Sequence, residues 1–142
     1  MTSVFRQSRP LRFAHCDPAG IAYYPRYLEL CDGAIEDWTP FALGVSRRTM
    51  HFDMRLGLPT VDLHARFSRP GRLGDLLDFD VSVRKVGRSS VDLVVAVSCG
   101  GEPRFEVEFV QVLTDLDTMR ARSWPEDWRE RLQAIAEKET SA

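Results

Sequence analysis

An α+β fold is predicted, with an antiparallel sheet of about five strands wrapped around one long central helix and a further helix at the C-terminus. Three observations carry it. From Tyr24 the apolar residues Tyr24, Tyr27, Leu28, Cys31, Ala34, Ile35, Trp38, Phe41 and Ala42 step by threes and fours, which makes one wide apolar helix face. Between residues 77 and 109 the apolar period falls to two in successive runs, as half-buried strands require. No linker, repeat or low-complexity segment divides the chain, so residues 1–142 read as a single domain that buries both apolar faces against each other.

The elements follow in order. Val4 to Phe13 reads as a first strand, interrupted by Pro10. Pro18 and Gly20 make a turn, and the long helix starts at Tyr24 with Pro25 in its first turn, where a missing N–H costs nothing. Glu29, Asp32, Glu36 and Asp37 supply its polar side, while Tyr23, Leu30 and Gly33 extend the apolar or small surface, so the helix is expected to be largely wrapped. Pro40 is expected to stop or kink it, and Gly44 to close the segment. Ser46 caps a shorter helical piece through Met54, ended by Gly57. Thr60 to Phe67 is a strand, and the Ser68–Asp75 stretch is a turn by composition. Leu77, Phe79, Val81 and Val83 alternate with polar residues, and after a turn at Gly87 so do Val91, Leu93, Val95, Val97 and Cys99. Gly100-Gly101-Glu102-Pro103 joins a hairpin. Phe105, Val107 and Phe109 alternate with Glu106 and Glu108, and a phase shift at Val110 and Val112 predicts a bulge. Ser123 with Glu126 reads as a capping box, with Pro125 in the first turn of a last helix whose stripe is Trp128, Leu132 and Ile135.

Composition narrows the function classes. A charge of −2 and a pI near 5.9 give no electrostatic reason to expect nucleic acid or an anionic membrane as partner. Cys16, Cys31 and Cys99 are odd in number and lack CxxC spacing, which excludes a disulfide framework or zinc knuckle and suits a reducing cytosol. Residues 1–10 have no apolar signal core, and the longest aliphatic run, Leu93 to Val97, is far short of a membrane span. A cytoplasmic protein without a metal or a redox cofactor is expected.

Chemistry concentrates at His15–Tyr27. Asp17 before Pro18-Ala19-Gly20 is a usual turn residue, its carboxylate accepting nearby backbone N–H groups, and it could equally complement the helix dipole. Beside it, the first-turn N–H groups of the Tyr24 helix are unpaired and favour developing negative charge, as an oxyanion hole does. A carboxylate and such donors within one turn could together perform acyl transfer. His15 and Cys16 read as scaffolding: alternation turns the Cys16 side chain away from Asp17, and no His pairs with it. The Tyr24 and Tyr27 rings, with Leu28, read as helix-face core.

Asp17-Pro18-Ala19-Gly20-Ile21 followed by Tyr24-Pro25-x-Tyr27 resembles the active-site segment of the 4-hydroxybenzoyl-CoA thioesterase family, of hotdog fold. The similarity continues in Pro59-Thr60-Val61, in Arg69-Pro70-x-Arg72-x-Gly74-Asp75 and in Gly87-Arg88-Ser89-Ser90, and so spans most of the chain. The resemblance implies hydrolysis of an acyl-CoA, aroyl or short to medium, by Asp17 as nucleophile or general base, with the Tyr24 backbone N–H polarising the thioester oxygen. It implies dimers formed by sheet pairing that pair again into homotetramers, with CoA at the subunit interface.

Further binding residues follow. Arg84, Lys85 and Arg88 cluster before Ser89 and Ser90, where turn N–H groups could help hold a CoA phosphate; Arg88 matches a family position facing the nucleotide, and Arg69 and Arg72 are weaker candidates. Asp32 coincides with a family acidic position that touches an aromatic hydroxyl in the 4-hydroxybenzoyl enzymes, but the family's accompanying Trp after the central helix is not found, and Arg47 and Arg48 stand in that neighbourhood. Thr60 and His64, on a strand bordering the pocket, are candidate acyl contacts. The alternatives are a non-catalytic acyl-CoA sensor, whose mark would be loss of the loop carboxylate, and a hotdog hydratase or dehydratase, which needs a His/Asp pair on a longer segment.

Overall fold

The computed structural model describes residues 5–141; Val4, the expected start of the first strand, lies outside them. The elements are β1 (Phe5–Pro10), α1 (Tyr24–Leu43), β2 (Leu56–Gly57), β3 (Thr60–Phe67), β4 (Leu76–Val86), β5 (Ser90–Cys99), β6 (Glu102–Val112), β7 (Thr114–Asp115), β8 (Arg120–Ala121) and α2 (Glu126–Ser141). The main sheet has the order β1-β4-β5-β6-β3, and each neighbouring pair is antiparallel. β2, β7 and β8 form a small second sheet.

The predicted alternation places Phe79, Val81, Leu93, Val95, Val107 and Phe109 on one buried face. α1 lays Tyr27, Cys31, Ala34, Ile35, Trp38 and Ala42 against it. Each large side chain removed from water there contributes about 1.5–3 kcal/mol, so the helix is held by its whole apolar stripe. Its direction is fixed by contacts with β1: Asp37 pairs with Arg9 at 2.5 Å, and the Phe41 ring lies 5.5 Å from Phe5. A later helix residue thus meets an earlier strand residue, so α1 runs antiparallel to β1 and in the same sense as β4 and β6. The flank opposite β1, carrying Leu28, Asp32 and Thr39, faces the β3 edge.

Several local expectations shift. β1 ends at Pro10, and a 3-10 turn at Phe13–His15 takes the rest of the predicted strand. Pro40 does not stop α1, which continues through buried Ala42 and Leu43 to Gly44, left-handed at φ 78° and donating to the Pro40 carbonyl. Arg131 of α2 completes that end, its Nε donating to the Ala42 carbonyl at 2.9 Å. The piece capped by Ser46, whose Oγ accepts from the Thr49 N–H at 3.1 Å, includes a π turn at Thr49–Asp53, and Gly57 belongs to β2. The expected bulge exists, but its extra residue is Val61 on β3, opposite Val110 and Gln111; β6 keeps its phase and buries Gln111. No capping box forms at Ser123: α2 begins at Glu126, and Pro125 accepts its first bond, from Arg129. α2 packs Trp128 and Leu132 inward, and Glu139 accepts from the Val83 N–H at 2.7 Å where β4 bulges. The helix is not wrapped as expected: Tyr23 and Tyr24 are 52% and 60% exposed in the single chain.

Candidate active site

Asp17 sits in a tight loop closed by a bridge between Cys16 and Ala22. Its N–H donates to the Ile21 carbonyl, its carbonyl accepts from Gly20, and its Oδ1 accepts from Ala19 N at 2.9 Å and Ile21 N at 3.3 Å. The turn role is therefore real, and it orients the carboxylate by one oxygen, leaving Oδ2 without a hydrogen bond among the described residues. Gly20, at φ 76°, allows the loop to double back. His15 Nδ1 accepts from the Arg12 N–H at 2.9 Å, and the Cys16 thiol faces the Arg12 carbonyl, its pKa raised first by burial and then by Asp17. Both residues brace the loop, as expected.

The chain leaves this loop through Tyr23, whose N–H donates to the His15 carbonyl, and enters α1 at Tyr24. The Tyr24 N–H is a first-turn donor with no acceptor inside the helix. A recess of about 300 Å³ opens here, lined by Ile21, Ala22, Tyr24, Tyr27, Phe67 and Pro70. Its aromatic wall is continuous: Tyr24 meets Phe67 edge-on at 6.3 Å, and Tyr27 stacks on Phe105 at 4.0 Å. Gly71 must be glycine, because a Cβ there would collide with the Tyr27 hydroxyl. Next to the recess, a more polar hollow of about 450 Å³ holds Arg69, Arg72, Asp75, Glu102 and Arg104, where Arg69 is paired with Glu102 and Arg104 with Asp75.

Beyond the recess, β3 is the edge strand of the main sheet. Val61, Leu63 and Phe67 of that strand are 61%, 41% and 49% exposed, unusual for apolar residues turned toward a core. Along the flank of α1 away from β1, Leu28 lies about 6 Å from Tyr24, Asp32 about 12 Å and buried Thr39 about 22 Å. Thr60 begins β3, its Oγ1 accepting from Gln111 Nε2 at 3.2 Å. His64 pairs across with Glu108 on the outer face of the sheet, in a hollow with Asp62, Arg84 and Asp92.

Lys85, Arg88, Ser89 and Ser90 are not beside Asp17. β4 leads from the recess end at Leu76 to Val86, about 33 Å of strand, before the turn they form. That turn is held from behind: Arg129 donates to the Gly87 and Arg88 carbonyls, Leu113 N to Ser89, and Trp124 Nε1 to Ser90. Arg88 stays exposed. Two features were missed in the sequence. Gln111 occupies the apolar phase of β6 and is 1% exposed, a polar residue out of pattern. The Thr39–Arg47 contact joins residues on either side of Gly44 and has no periodic signal.

Residues 11–132 match the family model of the thioesterase-like superfamily. The 1,4-dihydroxy-2-naphthoyl-CoA hydrolase of Synechococcus elongatus is 25% identical over 134 residues, 94% of this chain and 98% of that protein. A Staphylococcus aureus protein solved in complex with CoA superposes with a TM-score of 0.90 at 13% identity, covering 98% of this chain and 87% of that one. The 1,4-dihydroxy-2-naphthoyl-CoA thioesterase of Synechocystis gives a TM-score of 0.83 at 19% identity, over 94% and 98% of the two chains. These likenesses establish the hotdog architecture anticipated from the sequence.

Proposed function

Since the chain belongs to the thioesterase-like superfamily, we propose that it hydrolyses an acyl-CoA thioester to the free acid and CoA. The observation that carries this is the Asp17 carboxylate, anchored through Oδ1 and open at Oδ2, on the loop that delivers the chain to the unpaired Tyr24 N–H. Oδ2 either attacks the thioester carbonyl carbon, expelling CoA thiolate and leaving an anhydride that water cleaves, or takes a proton from the water that attacks. Both routes consume one water and break the C–S bond. The Tyr24 N–H, at the positive end of α1, holds the oxygen on which charge develops. The acyl group enters the aromatic recess. The names of the relatives support this reading. No cofactor takes part.

The working unit is a dimer formed by antiparallel pairing of β3 edges. An eight-residue edge strand with exposed Val61, Leu63 and Phe67 is a surface that soluble proteins cover. Antiparallel pairing sets the 60 end of one copy against the 67 end of the other. The far turn, with Arg88, Ser89 and Ser90, of the partner then approaches the recess and can take a CoA phosphate there. Dimers pair again into a tetramer, and the enzyme acts in the cytoplasm. Incubation with benzoyl-, phenylacetyl- and aliphatic CoA esters while free thiol is followed tests the reading. Catalytic thiol release is expected; stoichiometric binding without release would make the protein a sensor.

A further inference from the structure

We infer that Arg104 is a positioning residue for the Asp17 carboxylate: together with Asp75 it clamps the turn at residues 68–75, and the Asp17 loop takes its position from that turn. This rests on the thioesterase reading and deepens it, by naming a group outside the loop that holds the reacting carboxylate in place.

The bonds from Ala19 N and Ile21 N to Asp17 Oδ1 give the loop its shape, but they do not fix its tip against the rest of the molecule. Two bonds on either side of Ile21 do. Ala22 N donates to the Gly71 carbonyl at 2.9 Å, and the Gly20 carbonyl accepts from Leu73 N at 3.0 Å, forming a bridge between Ile21 and Arg72. Both partners, Gly71 and Leu73, lie in the turn that joins β3 to β4, and the Tyr27 hydroxyl abuts the same Gly71. A shift of this turn therefore moves the Asp17 loop and the recess wall together. Six of the eight turn residues are exposed, Leu73 among them, so the turn has little apolar burial to hold it.

Polar groups hold it instead, and they converge on Arg104 of β6. Its Nη1 donates to the Pro70 carbonyl at 2.8 Å and to Asp75 Oδ2 at 3.1 Å, and its own carbonyl accepts from Ser68 N and Arg69 N at 2.8 and 3.1 Å. Asp75 Oδ2 also accepts from Arg72 N at 2.9 Å. The Asp75 end is fixed independently, since Leu11 N donates to the Asp75 carbonyl at 2.8 Å and Gly74 N to the Leu11 carbonyl at 2.9 Å. Arg104 thus ties the Pro70–Gly71 side of the turn to an end that is already anchored. Its Nε lies 3.2 Å from Glu102 Oε1 without the alignment of a hydrogen bond, so Pro70 and Asp75 set the aim of the guanidinium. The Arg104 side chain is only 15% exposed, which spares the pair most of the solvent screening that weakens surface ion pairs. Misplacing a reacting group by about 1 Å can cost about 10²-fold in rate, so slack in this turn is felt at Asp17 Oδ2.

The test measures kcat and KM separately on the full chain with the best CoA ester, alongside urea unfolding of the same preparations. Arg104→Met keeps the aliphatic stem and loses the Nη1 donor; kcat should fall about 10–100-fold while KM stays within about 3-fold of wild type. Arg104→Lys keeps the charge and can reach one of the two acceptors, so it should recover about 3-fold or more of the lost kcat. Asp75→Asn keeps an acceptor for Arg72 N and should lower kcat less. Added to Arg104→Met it should lower kcat no further, and alone it carries the test if Arg104→Met does not fold. Arg131→Met, which frees the Ala42 and Phe41 carbonyls at the opposite end of α1, should lose stability and leave kcat unchanged. A raised KM with unchanged kcat in Arg104→Met would make Arg104 a contact of the ligand in the polar hollow and overturn the inference. So would an unchanged kcat and KM, or a kcat loss that Arg131→Met reproduces at equal stability; in each case the thioesterase reading stands. Failure of the wild type to hydrolyse any ester would overturn both, and is a different result.

Discussion

Replacing Asp17 by Asn separates the two jobs this carboxylate does. Oδ1 holds the loop through Ala19 N at 2.9 Å and Ile21 N at 3.3 Å, the second already long for a strong bond. Asn keeps an oxygen at that place, so the loop loses only the charge on the acceptor. The expected cost is about 1 kcal/mol or less, or ~2–4 °C in the unfolding midpoint of a chain this size. Oδ2 becomes an amide that can neither attack a carbonyl nor accept a proton from water. Loss of one oxyanion donor costs about 10²–10³ in rate, and loss of the reacting group should cost at least as much. Asp17→Ala, which also removes both accepted bonds, should be equally inactive and about 2 kcal/mol less stable. Thiol release from the best ester, with urea unfolding of the same preparations, reads both quantities. Asp17→Asn that turns over within about 10-fold of wild type would refute the assignment, and so would inactivity fully explained by unfolding.

Three further outcomes are expected. Gly71→Ala forces a Cβ into the Tyr27 hydroxyl and should cost about 1–3 kcal/mol, and Tyr27→Phe in the same chain should recover much of it; additive effects in urea unfolding would show that this contact does not exist. Glu139 has its pKa raised by burial, only partly opposed by the Val83 N–H, so the folded state holds its proton more tightly than the unfolded chain. Its contribution is therefore present below the usual carboxylate range and lost as pH rises through the folded pKa. Glu139→Gln should gain stability relative to wild type as pH rises from 4 to 7, and a difference independent of pH would contradict this. Leu63→Lys places a charge on the exposed inner face of β3; light scattering should find a shift toward monomer together with loss of hydrolysis, and an active monomer would remove the subunit interface from the mechanism.

How much of the site was legible depends on how local each part is. The Asp17 turn, the helix start at Tyr24 and the bracing roles of His15 and Cys16 involve residues within about ten positions of one another, where turn chemistry and capping rules act directly. The exposed inner face of β3 is not local. It depends on α1 turning one flank toward β1 and leaving the edge strand β3 uncovered, a choice no window of sequence contains. His64 was placed with the pocket because its strand borders it, but the Val61 bulge and the pairing with Glu108 put it on the outer face. Tyr24 continues the helical stripe and was assigned to the core. It lies instead where the sheet ends and stands 60% exposed, at the mouth of the recess.

The sequence by itself determined the class of the fold, the long helix, the main strands and the terminal helix, and it singled out the carboxylate proposed to carry the chemistry. Those depend on period, on turn residues and on the Asp-Pro-Ala-Gly segment, all short-range properties. Tertiary structure alone decided that the Arg88 turn stands a full strand length from Asp17, so that one chain does not bring the two halves of the expected CoA site together. It alone set Arg47 against Thr39 and buried Gln111 in the apolar phase of β6. The physical reason is that direction and distance between elements come from which faces pack. Periodicity reports only that a face is apolar, and says nothing of what it meets.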